Sequence, residues 1–233
     1  MTCLLILRPE PGASETVVRA RSMGLEALAT PLFSIRPLKW DPPGPETVDA
    51  VMLTSANAAR HAGMALAAFT HLPCYVVGET TAEAARVAGF SHIQTGPSDG
   101  AALLGIMAES GVARALHLCG RDHIPLHHPS VSMVRRVVYA AEPVSPLPLS
   151  VVAALRSRAL VALHSPRAAA HFAALVDAAG LDRGSIALAA ISQAAAVAAG
   201  EGWRDIAVAK APRDAALLEL AEKLCKTEHV GQG

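Results

Sequence analysis

The chain has 233 residues, of which 52% are hydrophobic and 17% charged, a composition that excludes a mainly disordered protein and allows one large domain or two smaller ones. Lysine plus arginine (20) balance aspartate plus glutamate (20), which excludes a general polyanion-binding protein, and 3% aromatic residues are too few for base-stacking platforms. Sixteen of the cations are arginine, the side chain suited to bidentate binding of carboxylate or phosphate. The balance of charge therefore leaves room for a local cationic pocket.

The cysteines and the apolar runs bear on location. The four cysteines form no CxxC pair, and three of them, Cys3, Cys74 and Cys119, lie in or beside apolar runs. This pattern is typical of buried, reduced thiols in the cytoplasm. The opening apolar run is too short for a signal peptide, and no apolar run approaches the roughly 18 residues of a membrane span. We therefore expect a cytoplasmic protein without a membrane partner.

Short apolar runs alternate with alanine-rich helical stretches along the chain. The runs show little polar alternation, as is typical of parallel strands covered on both faces, and alanine is the best helix former. The alternation predicts an α/β fold with parallel sheets flanked by helices. The predicted strands are Cys3–Leu7, Ala50–Leu53, Cys74–Val77, His92–Gln94, Ala115–Leu118, Leu160–Leu163, Ala187–Ile191 and Ile206–Val208. The predicted helices are Ala56–Phe69, Thr81–Ala88, Ala101–Glu109, Pro166–Ala179, Gln193–Ala199 and Asp214–Leu224.

Two segments break this rhythm, Thr30–Lys39 and Arg135–Val144. Both contain or end near proline, which disfavours a helix and favours extended backbone. We expect both segments to be extended linkers that pair side by side.

The chain also contains an internal repeat, in which blocks of similar sequence recur in the same order. The order of the blocks favours duplication of one unit over chance matching of alanine-rich sequence. The matching blocks are Ala50–Asn57 with Leu160–Arg167, Tyr75–Ala82 with Ala189–Ala196, Gly89–Gln94 with Gly202–Ala207, and Ser98–Leu104 with Arg213–Leu218.

The repeat predicts how the chain is threaded. The first copy ends in a strand, Ala115–Leu118, whereas the second copy lacks one, and the N-terminal run Cys3–Leu7 has the right form to supply it. We therefore expect a discontinuous domain of residues 1–35 and 144–233, an inserted domain of residues 38–136, and linkers at about 34–39 and 136–145. Two similar lobes joined by a two-stranded extended linker would enclose a cleft, a common place for a ligand.

Four turns follow predicted strands and open predicted helices, where ligands bind in parallel α/β sheets. Such turns offer unpaired backbone N–H groups, the positive end of the helix dipole and hydroxyl donors. The alternative for each hydroxyl, at Ser55, Thr80, Ser165 and Ser192, is that it only caps its helix. The turns are Thr54–Asn57, Gly78–Thr81, His164–Pro166 and Ser192–Gln193.

Cations follow the same strand ends. Arg8, Arg121 and Arg167 come just after predicted strands, and Lys210 and Arg213 follow another. Taken singly, each fits a solvated surface charge, whereas together they fit an anionic ligand with several carboxylates or phosphates.

Motifs of other enzyme classes are absent or incomplete. The sequence has no P-loop, GxGxxG or HExxH motif, and no GxSxG elbow supports a Ser-His-Asp triad. His123, His127 and His128 lie close together, but a metal site would need further ligands. We expect no metal.

Six short motifs, individually weak, occur in an order that resembles the uroporphyrinogen-III synthase family over nearly the whole chain. They are the opening Leu-Ile-Leu-Arg-Pro, Leu53–Asn57, Tyr75–Ala82, Leu118–Arg121, Val138–Tyr139 and His164–Arg167.

The resemblance implies an enzyme of tetrapyrrole and heme biosynthesis. It would cyclise hydroxymethylbilane, a linear tetrapyrrole with eight carboxylates, to uroporphyrinogen III, with inversion of ring D and loss of water. It further implies no cofactor, a cytoplasmic monomer, and a substrate handed over by hydroxymethylbilane synthase.

The resemblance also implies roles for the residues that match the family's motifs. Tyr139 matches the tyrosine that is proposed in the family to assist loss of the hydroxyl, and Thr81 matches the threonine of the first Val-Gly turn. The chain departs from the family at Ala195, where members often carry threonine. The predicted catalytic residues are Tyr139 and Thr81, and the predicted substrate-binding residues are Arg8, Ser55, Ala56, Asn57, Gly78, Thr80, Arg121, Ser165, Arg167, Ser192 and Lys210.

Two alternatives stay open on the sequence alone. The missing hydroxyl at Ala195 is either dispensable, with Ser192 in its place, or a sign of a weakened paralogue, a noncatalytic two-lobed protein that binds an anionic small molecule. A Rossmann-like nucleotide enzyme is the other alternative, and the missing phosphate-loop glycines count against it.

Overall fold

The computed structural model describes residues 3–96 and 99–230. They divide into two compact units, which we call unit 1 (Met1–Ser34 with Glu142–Gly233) and unit 2 (Ile35–Ala141). The strands are β1 Leu4–Ile6, β2 Ala27–Ala29, β3 Phe33–Pro37, β4 Ala50–Leu53, β5 Cys74–Val77, β6 Ile93–Gly96, β7 Arg114–Gly120, β8 Ser132–Pro143, β9 Leu160–Leu163, β10 Ala187–Ala190 and β11 Asp205–Val208. The α-helices are α1 Gly12–Ser22, α2 Ala56–His61, α3 Glu79–Val87, α4 Gly100–Glu109, α5 Leu149–Arg156, α6 Pro166–Ala178, α7 Gln193–Ala199 and α8 Asp214–Val230.

Unit 1 is built on a parallel sheet in the order β11-β10-β9-β1-β2. The N-terminal strand β1 lies inside this sheet, where Leu5 pairs with Leu28 on one side and with Val161 on the other. All three residues of β1 are fully buried, as an apolar strand covered on both faces requires. The sheet therefore combines segments from both ends of the chain.

Unit 2 is built on a sheet in the order β3-β8-β7-β4-β5-β6, in which β4 to β8 run parallel. Alternate residues of β4 enter two different core clusters, Val51 and Leu53 on one face and Ala50 and Met52 on the other. This period of two places hydrophobic layers on both faces of the strand. The carboxyl ends of β4, β5 and β7 consequently meet at one edge of the sheet.

Strands β3 and β8 run across the boundary between the units and are neighbours in the sheet. Hydrogen bonds at both ends bracket their pairing, from Val144 N to Leu32 O and from Leu38 N to Val138 O, each at 2.9 Å. The two segments that the sequence predicts as extended therefore lie side by side.

One predicted helix is wrong in the structure. Instead of a single helix over Ala56–Phe69, α2 ends at His61 and a 3₁₀ helix follows at Met64–Phe69. Gly63 stands between them with φ 70°, a left-handed conformation that ends a helix and that glycine adopts without strain.

The predicted class, α/β with parallel sheets flanked by helices, is confirmed. Within residues 3–96 and 99–230, none of the helices has the length and apolar character needed to cross a membrane.

Candidate functional site

Unit 2 contains a cavity of about 410 Å³ at the carboxyl ends of β4, β5 and β7. This is the edge at which parallel α/β sheets bind ligands. The polar side chains in its lining are Thr54, Ser55, Asp99, Asp122, His123 and Tyr139.

Ser55 connects β4 to α2 and lines the cavity. Its backbone is extended, with φ −153°, and its hydroxyl oxygen accepts a hydrogen bond from Asn57 N at 3.3 Å. The following Ala56 is buried and Asn57 is half-buried. The predicted capping role is therefore present, and the serine also faces the cavity.

Tyr139 lines the same cavity from β8, where its register partner on β7 is Gly120. A Cβ atom at position 120 would lie 2.6 Å from the Tyr139 Cζ atom and 2.9 Å from its hydroxyl oxygen. A side chain at position 120 would thus occupy the space of the tyrosine ring. The backbone fixes the tyrosine as well, because Arg121 N donates to Tyr139 O at 2.9 Å.

His117 lies behind the cavity wall on β7 and is 1% exposed. Its Nε2 is 3.3 Å from the hydroxyl oxygen of Thr54, which lines the cavity. Burial lowers the pKa of His117 to about 4, with smaller contributions in the same direction from the neighbouring Arg135 and His123. At neutral pH this imidazole is uncharged and holds the Thr54 hydroxyl in place.

The second predicted turn of unit 2 lies beside this lining. Val77 at the end of β5 lines the cavity, and Gly78 follows as the N-cap of α3 with φ 76°. Thr80 is exposed, whereas Thr81 is 5% exposed within the first turn of the helix. The structure thus separates the two threonines: Thr80 faces solvent and Thr81 faces the protein.

In unit 1 a partly buried carboxylate joins several elements, and we call this group the Asp214 cluster. Asp214, the first residue of α8, accepts hydrogen bonds from Thr16 Oγ1 at 2.9 Å and from Arg19 Nε at 2.8 Å. His164 Nε2, after β9, is 3.0 Å from its Oδ1, and Arg8 Nη1, after β1, is 3.5 Å from the same atom. Burial raises the pKa of Asp214, but the hydrogen bonds from His164, Thr16 and Arg19 outweigh burial and hold this pKa well below its usual range.

Arg8 is therefore held by an internal carboxylate as well as standing at a strand end. Its side chain is 33% exposed and its guanidinium is also 3.5 Å from the Thr16 hydroxyl oxygen. The contact with Asp214 holds the guanidinium near the end of β1 and leaves part of it in contact with solvent.

The two serines of unit 1 cap helices. Ser165 accepts from Ala168 N at 3.2 Å at the start of α6, and Ser192 accepts from Ala195 N at 3.3 Å at the start of α7. Ala195 is fully buried in the first turn of α7, as Thr81 is nearly buried in the first turn of α3. A hydroxyl at position 195 would therefore point to no exposed surface.

Arg167 is exposed on α6, and its guanidinium carbon is 4.4 Å from the ring centroid of Phe33, a cation–π contact. The Phe33 ring lies 5.2 Å from the His171 ring, whose Nε2 is 3.0 Å from Val144 O. Arg121, after β7, and Lys210, after β11, are both exposed.

The structure brings two predicted residues, Ser55 and Tyr139, into one cavity, whereas Gly78, Thr80, Thr81 and Arg121 are absent from its described lining. Arg8, Ser165, Arg167, Ser192 and Lys210 follow strands of the other sheet.

Sequence reasoning placed Thr54 and His164 in turns expected to bind a ligand but did not select them as site residues, missed Asp214, and considered His123 only as a metal ligand. Among the residues that the structure describes, no three His, Cys, Asp or Glu side chains could hold a metal ion together. The position of Thr54 directly after a strand was the available signal, whereas nothing local in the sequence marks Asp214.

The fold and these sites define a class: an α/β protein of two parallel-sheet units, each with hydroxyl groups and cations just after its strand ends.

Comparisons with known proteins identify the family within this class. The family profile described as uroporphyrinogen-III synthase HemD matches residues 14–219, and the chain belongs to this family. Its members are cyclising lyases of heme biosynthesis, so the chain is an enzyme of that class. No curated protein sequence matches the chain at the significance required.

Solved structures share the fold at low sequence identity. Uroporphyrinogen-III synthetase from Helicobacter pylori 26695 is 16% identical with a TM-score of 0.64, over 96% of this chain and 100% of that one. A mutant uroporphyrinogen III synthase from the extremely thermophilic bacterium Thermus thermophilus is 14% identical with a TM-score of 0.51, over 97% of this chain and 100% of that one.

Proposed function

We propose that this chain converts hydroxymethylbilane to uroporphyrinogen III, and that the unit 2 cavity takes part in loss of the substrate hydroxyl. The observation that carries the proposal is the placement of Tyr139 and Ser55 in one cavity at the carboxyl ends of the unit 2 strands. The family match spans both units, which counts against the alternative of a noncatalytic binding protein.

The reaction mainly requires control of the orientation of the substrate. The hydroxyl of the linear tetrapyrrole takes up a proton and leaves as water, which leaves a cationic azafulvene. Without an enzyme this species closes to the isomer in which ring D is not inverted. The enzyme must instead hold ring D so that its substituted α-carbon attacks the methylene carbon and forms a spiro intermediate. Such catalysis works through orientation and needs many positioning donors and few proton-transfer groups.

In this scheme Tyr139 donates a hydrogen bond to the departing oxygen. A phenol is a suitable donor because it stays protonated at neutral pH and its ring can rest on apolar neighbours. Tyr139 packs against the unit 2 core, and its ring centroid is 6.3 Å from that of His61. Gly120 leaves the space that this ring occupies.

The cations of unit 1 serve the carboxylates of the substrate. Arg8 and Arg167 each have a guanidinium restrained by an internal contact, to Asp214 and to Phe33 respectively, so less side-chain entropy is lost when they bind a ligand. Backbone N–H groups at the starts of α6 and α7 add neutral donors. These contacts bind ground state and transition state alike.

We further propose that the protein acts as a cytoplasmic monomer without a cofactor and receives its substrate from hydroxymethylbilane synthase. The proposal that no cofactor is needed is supported by the reaction itself, because the cyclisation needs orientation and hydrogen bonding, which side chains supply.

One assay tests the proposed function. Purified protein is supplied with hydroxymethylbilane, and the ratio of isomer III to isomer I is measured by chromatography after oxidation of the products. The expected result is mainly isomer III. Isomer I alone, at the rate seen without protein, would reduce the chain to a binding protein.

A further inference from the structure

We propose that His123 is a further substrate-binding residue, which accepts a hydrogen bond from a pyrrole N–H through Nε2, and that the unit 2 cavity receives the N–H edge of the tetrapyrrole rather than its carboxylate side chains. This proposal rests on the proposed function, because it concerns how the same substrate is held.

The hydrogen bonds of His123 define which ring nitrogen carries the proton. His123 Nδ1 is 2.9 Å from Gly120 O and 3.2 Å from Arg121 O. A carbonyl oxygen can only accept, so Nδ1 must carry a hydrogen and donate it. In the neutral imidazole the proton is therefore on Nδ1, and Nε2 has a lone pair.

The two edges of this ring have different surroundings. His123 lines the cavity, and its Nδ1 edge is turned to the backbone at the end of β7. The edge that carries Nε2 is thus the one left for a ligand. An acceptor at this position needs a partner that donates, and each pyrrole ring of the substrate carries one N–H donor.

The charges of the lining argue against the substrate carboxylates at this place. Asp99 and Asp122 line the cavity, and its described lining contains no lysine or arginine. Arg135 donates from Nη2 to the carbonyl oxygen of Leu126, a lining residue, but does not itself line the cavity. The lining therefore offers acetate and propionate groups no cationic partner, whereas its carboxylates attract N–H donors and the cationic azafulvene.

The remaining polar groups are consistent with this assignment. Tyr139 and Ser55 offer hydroxyls, and the Thr54 hydroxyl is held by the buried His117. Hydroxyl groups suit the hydroxymethyl end of the substrate, and His123 adds the acceptor that the ring N–H requires. The cavity thus matches the reacting part of the molecule, while charged groups elsewhere serve its carboxylates.

Two variants of His123 distinguish a role of Nε2 from a role of Nδ1. His123→Asn keeps an amide near Nδ1, which can still donate to Gly120 O, and removes the acceptor at Nε2. His123→Gln places an amide oxygen near Nε2 and gives up the bond to the backbone. A role in substrate binding predicts loss in the asparagine variant and retention in the glutamine variant, and a merely structural role predicts the reverse.

The experiment measures KM and kcat for hydroxymethylbilane, with thermal unfolding to verify the fold. We expect His123→Asn to raise KM about three- to tenfold, the effect of one hydrogen bond, with kcat little changed, and His123→Gln to stay within about twofold of the unsubstituted protein. His127→Asn is the matched control, because His127 is exposed and outside the cavity lining, and it should leave both constants unchanged.

A normal KM in His123→Asn, or an equal rise in both His123 variants, would overturn the assignment. Formation of isomer III by the unsubstituted protein is measured first. If that step fails, the proposed function is wrong, whereas a failure confined to the His123 variants overturns only the role of this residue.

Discussion

The contact between Gly120 and Tyr139 couples the end of β7 to the ring proposed to assist loss of the hydroxyl. The glycine is required by its neighbour and not by its own backbone angles, because a Cβ atom there would meet the tyrosine ring at 2.6 Å. The predicted roles of Tyr139 and Thr81 can be compared by removing each hydroxyl with little change in volume.

Tyr139→Phe removes one hydrogen-bond donor and leaves the ring in place. A positioned acid typically contributes about 100- to 10,000-fold, but this hydroxyl departs readily from an electron-rich pyrrole. We therefore expect a roughly tenfold or larger loss of kcat, toward the lower end of that range. Steady-state kinetics with hydroxymethylbilane provide the measurement. Unchanged turnover in a correctly folded variant would make Tyr139 a structural residue, and the remaining product should still be mainly isomer III.

Thr81→Val removes the hydroxyl of a nearly buried residue and keeps its shape. We expect a loss of kcat of about two- to fivefold, smaller than for Tyr139→Phe, because the N–H groups of the α3 first turn remain. The equivalent turn of unit 1 already has Ala195, which carries no hydroxyl. The same kinetic assay provides the measurement, with Thr80→Val at the exposed neighbour run for comparison. A loss of kcat in Thr81→Val that equals or exceeds the loss in Tyr139→Phe would contradict the expected order.

Among the elements, α1, α8, β1 and β9 are joined at one point by the Asp214 cluster. Arg8 follows β1, Thr16 and Arg19 belong to α1, His164 follows β9, and Asp214 begins α8. A carboxylate that accepts from this many donors stabilises the packing of the elements and fixes Arg8 at the same time.

Asp214→Asn should lower the free energy of unfolding by about 2 kcal/mol, because hydrogen bonds to a charged group are weakened or lost. It should also raise KM, since Arg8 loses its fixed position, with a smaller effect on kcat. Chemical denaturation and kinetics provide the measurements. Asp177→Asn is the control, an exposed aspartate paired with Arg183, which should change little. Equal effects of the two substitutions would contradict a special role for Asp214.

An element could be predicted when the residues of the element themselves determine its structure. Strands β4, β5 and β9 match the sequence prediction to the residue because each is a short apolar run covered on both faces. Strand β2 was missed because it has three residues and only Ala27 is buried. Helices α1 and α5 were also missed.

The same distinction between nearby and distant causes applies to the residues of the site. The hydroxyls at Ser55 and Ser165 were predictable, because a serine between a strand and a helix is a local signal. The bond between Arg8 and Asp214 joins residues 206 positions apart, so nothing near either residue announces it. The proton position in His123 depends on the carbonyl of Gly120 and therefore needs the backbone fold. The role of each predicted site residue stays a prediction until it is measured.

For the whole molecule, the two units differ in their response to acid. His117 in unit 2 has its pKa lowered to about 4 by burial, from an ordinary value of 6.5. Between these values the unfolded chain binds a proton that the folded chain does not, so stability falls as the pH falls through this window. His61, also in unit 2, acts in the same direction because burial and Arg60 lower its pKa. Asp214 in unit 1 has a lowered pKa, so its contribution is lost only below about 3.8.

We therefore expect unit 2 to lose stability between pH 6.5 and 4.5 while the Asp214 contribution to unit 1 remains. One pKa unit corresponds to about 1.4 kcal/mol, so His117 accounts for at most roughly 3.5 kcal/mol over its full window of about 2.5 units. His117→Gln should flatten most of this pH dependence, and His71→Gln at an exposed site should not.

The two tryptophans allow each unit to be followed separately, since Trp40 lies in unit 2 and Trp203 in unit 1. Trp203→Phe leaves fluorescence from unit 2, and Trp40→Phe leaves fluorescence from unit 1. Denaturant midpoints at pH 7 and 4.5 in these two backgrounds give the measurement. The expectation fails if the unit 2 reporter shows no acid-induced shift, or if His117→Gln leaves that shift intact.

The position of β1 between β2 and β9 also bears on synthesis at the ribosome. β2 lies close to β1 along the chain, whereas β9 follows only after the whole of unit 2 has been made. Domains generally fold as units while the chain emerges, so unit 2 can complete its sheet while β1 still has one open edge. The nascent N-terminal strand must therefore avoid wrong pairing until β9 emerges, and a pause in translation between residues 141 and 160 would prolong this exposed state.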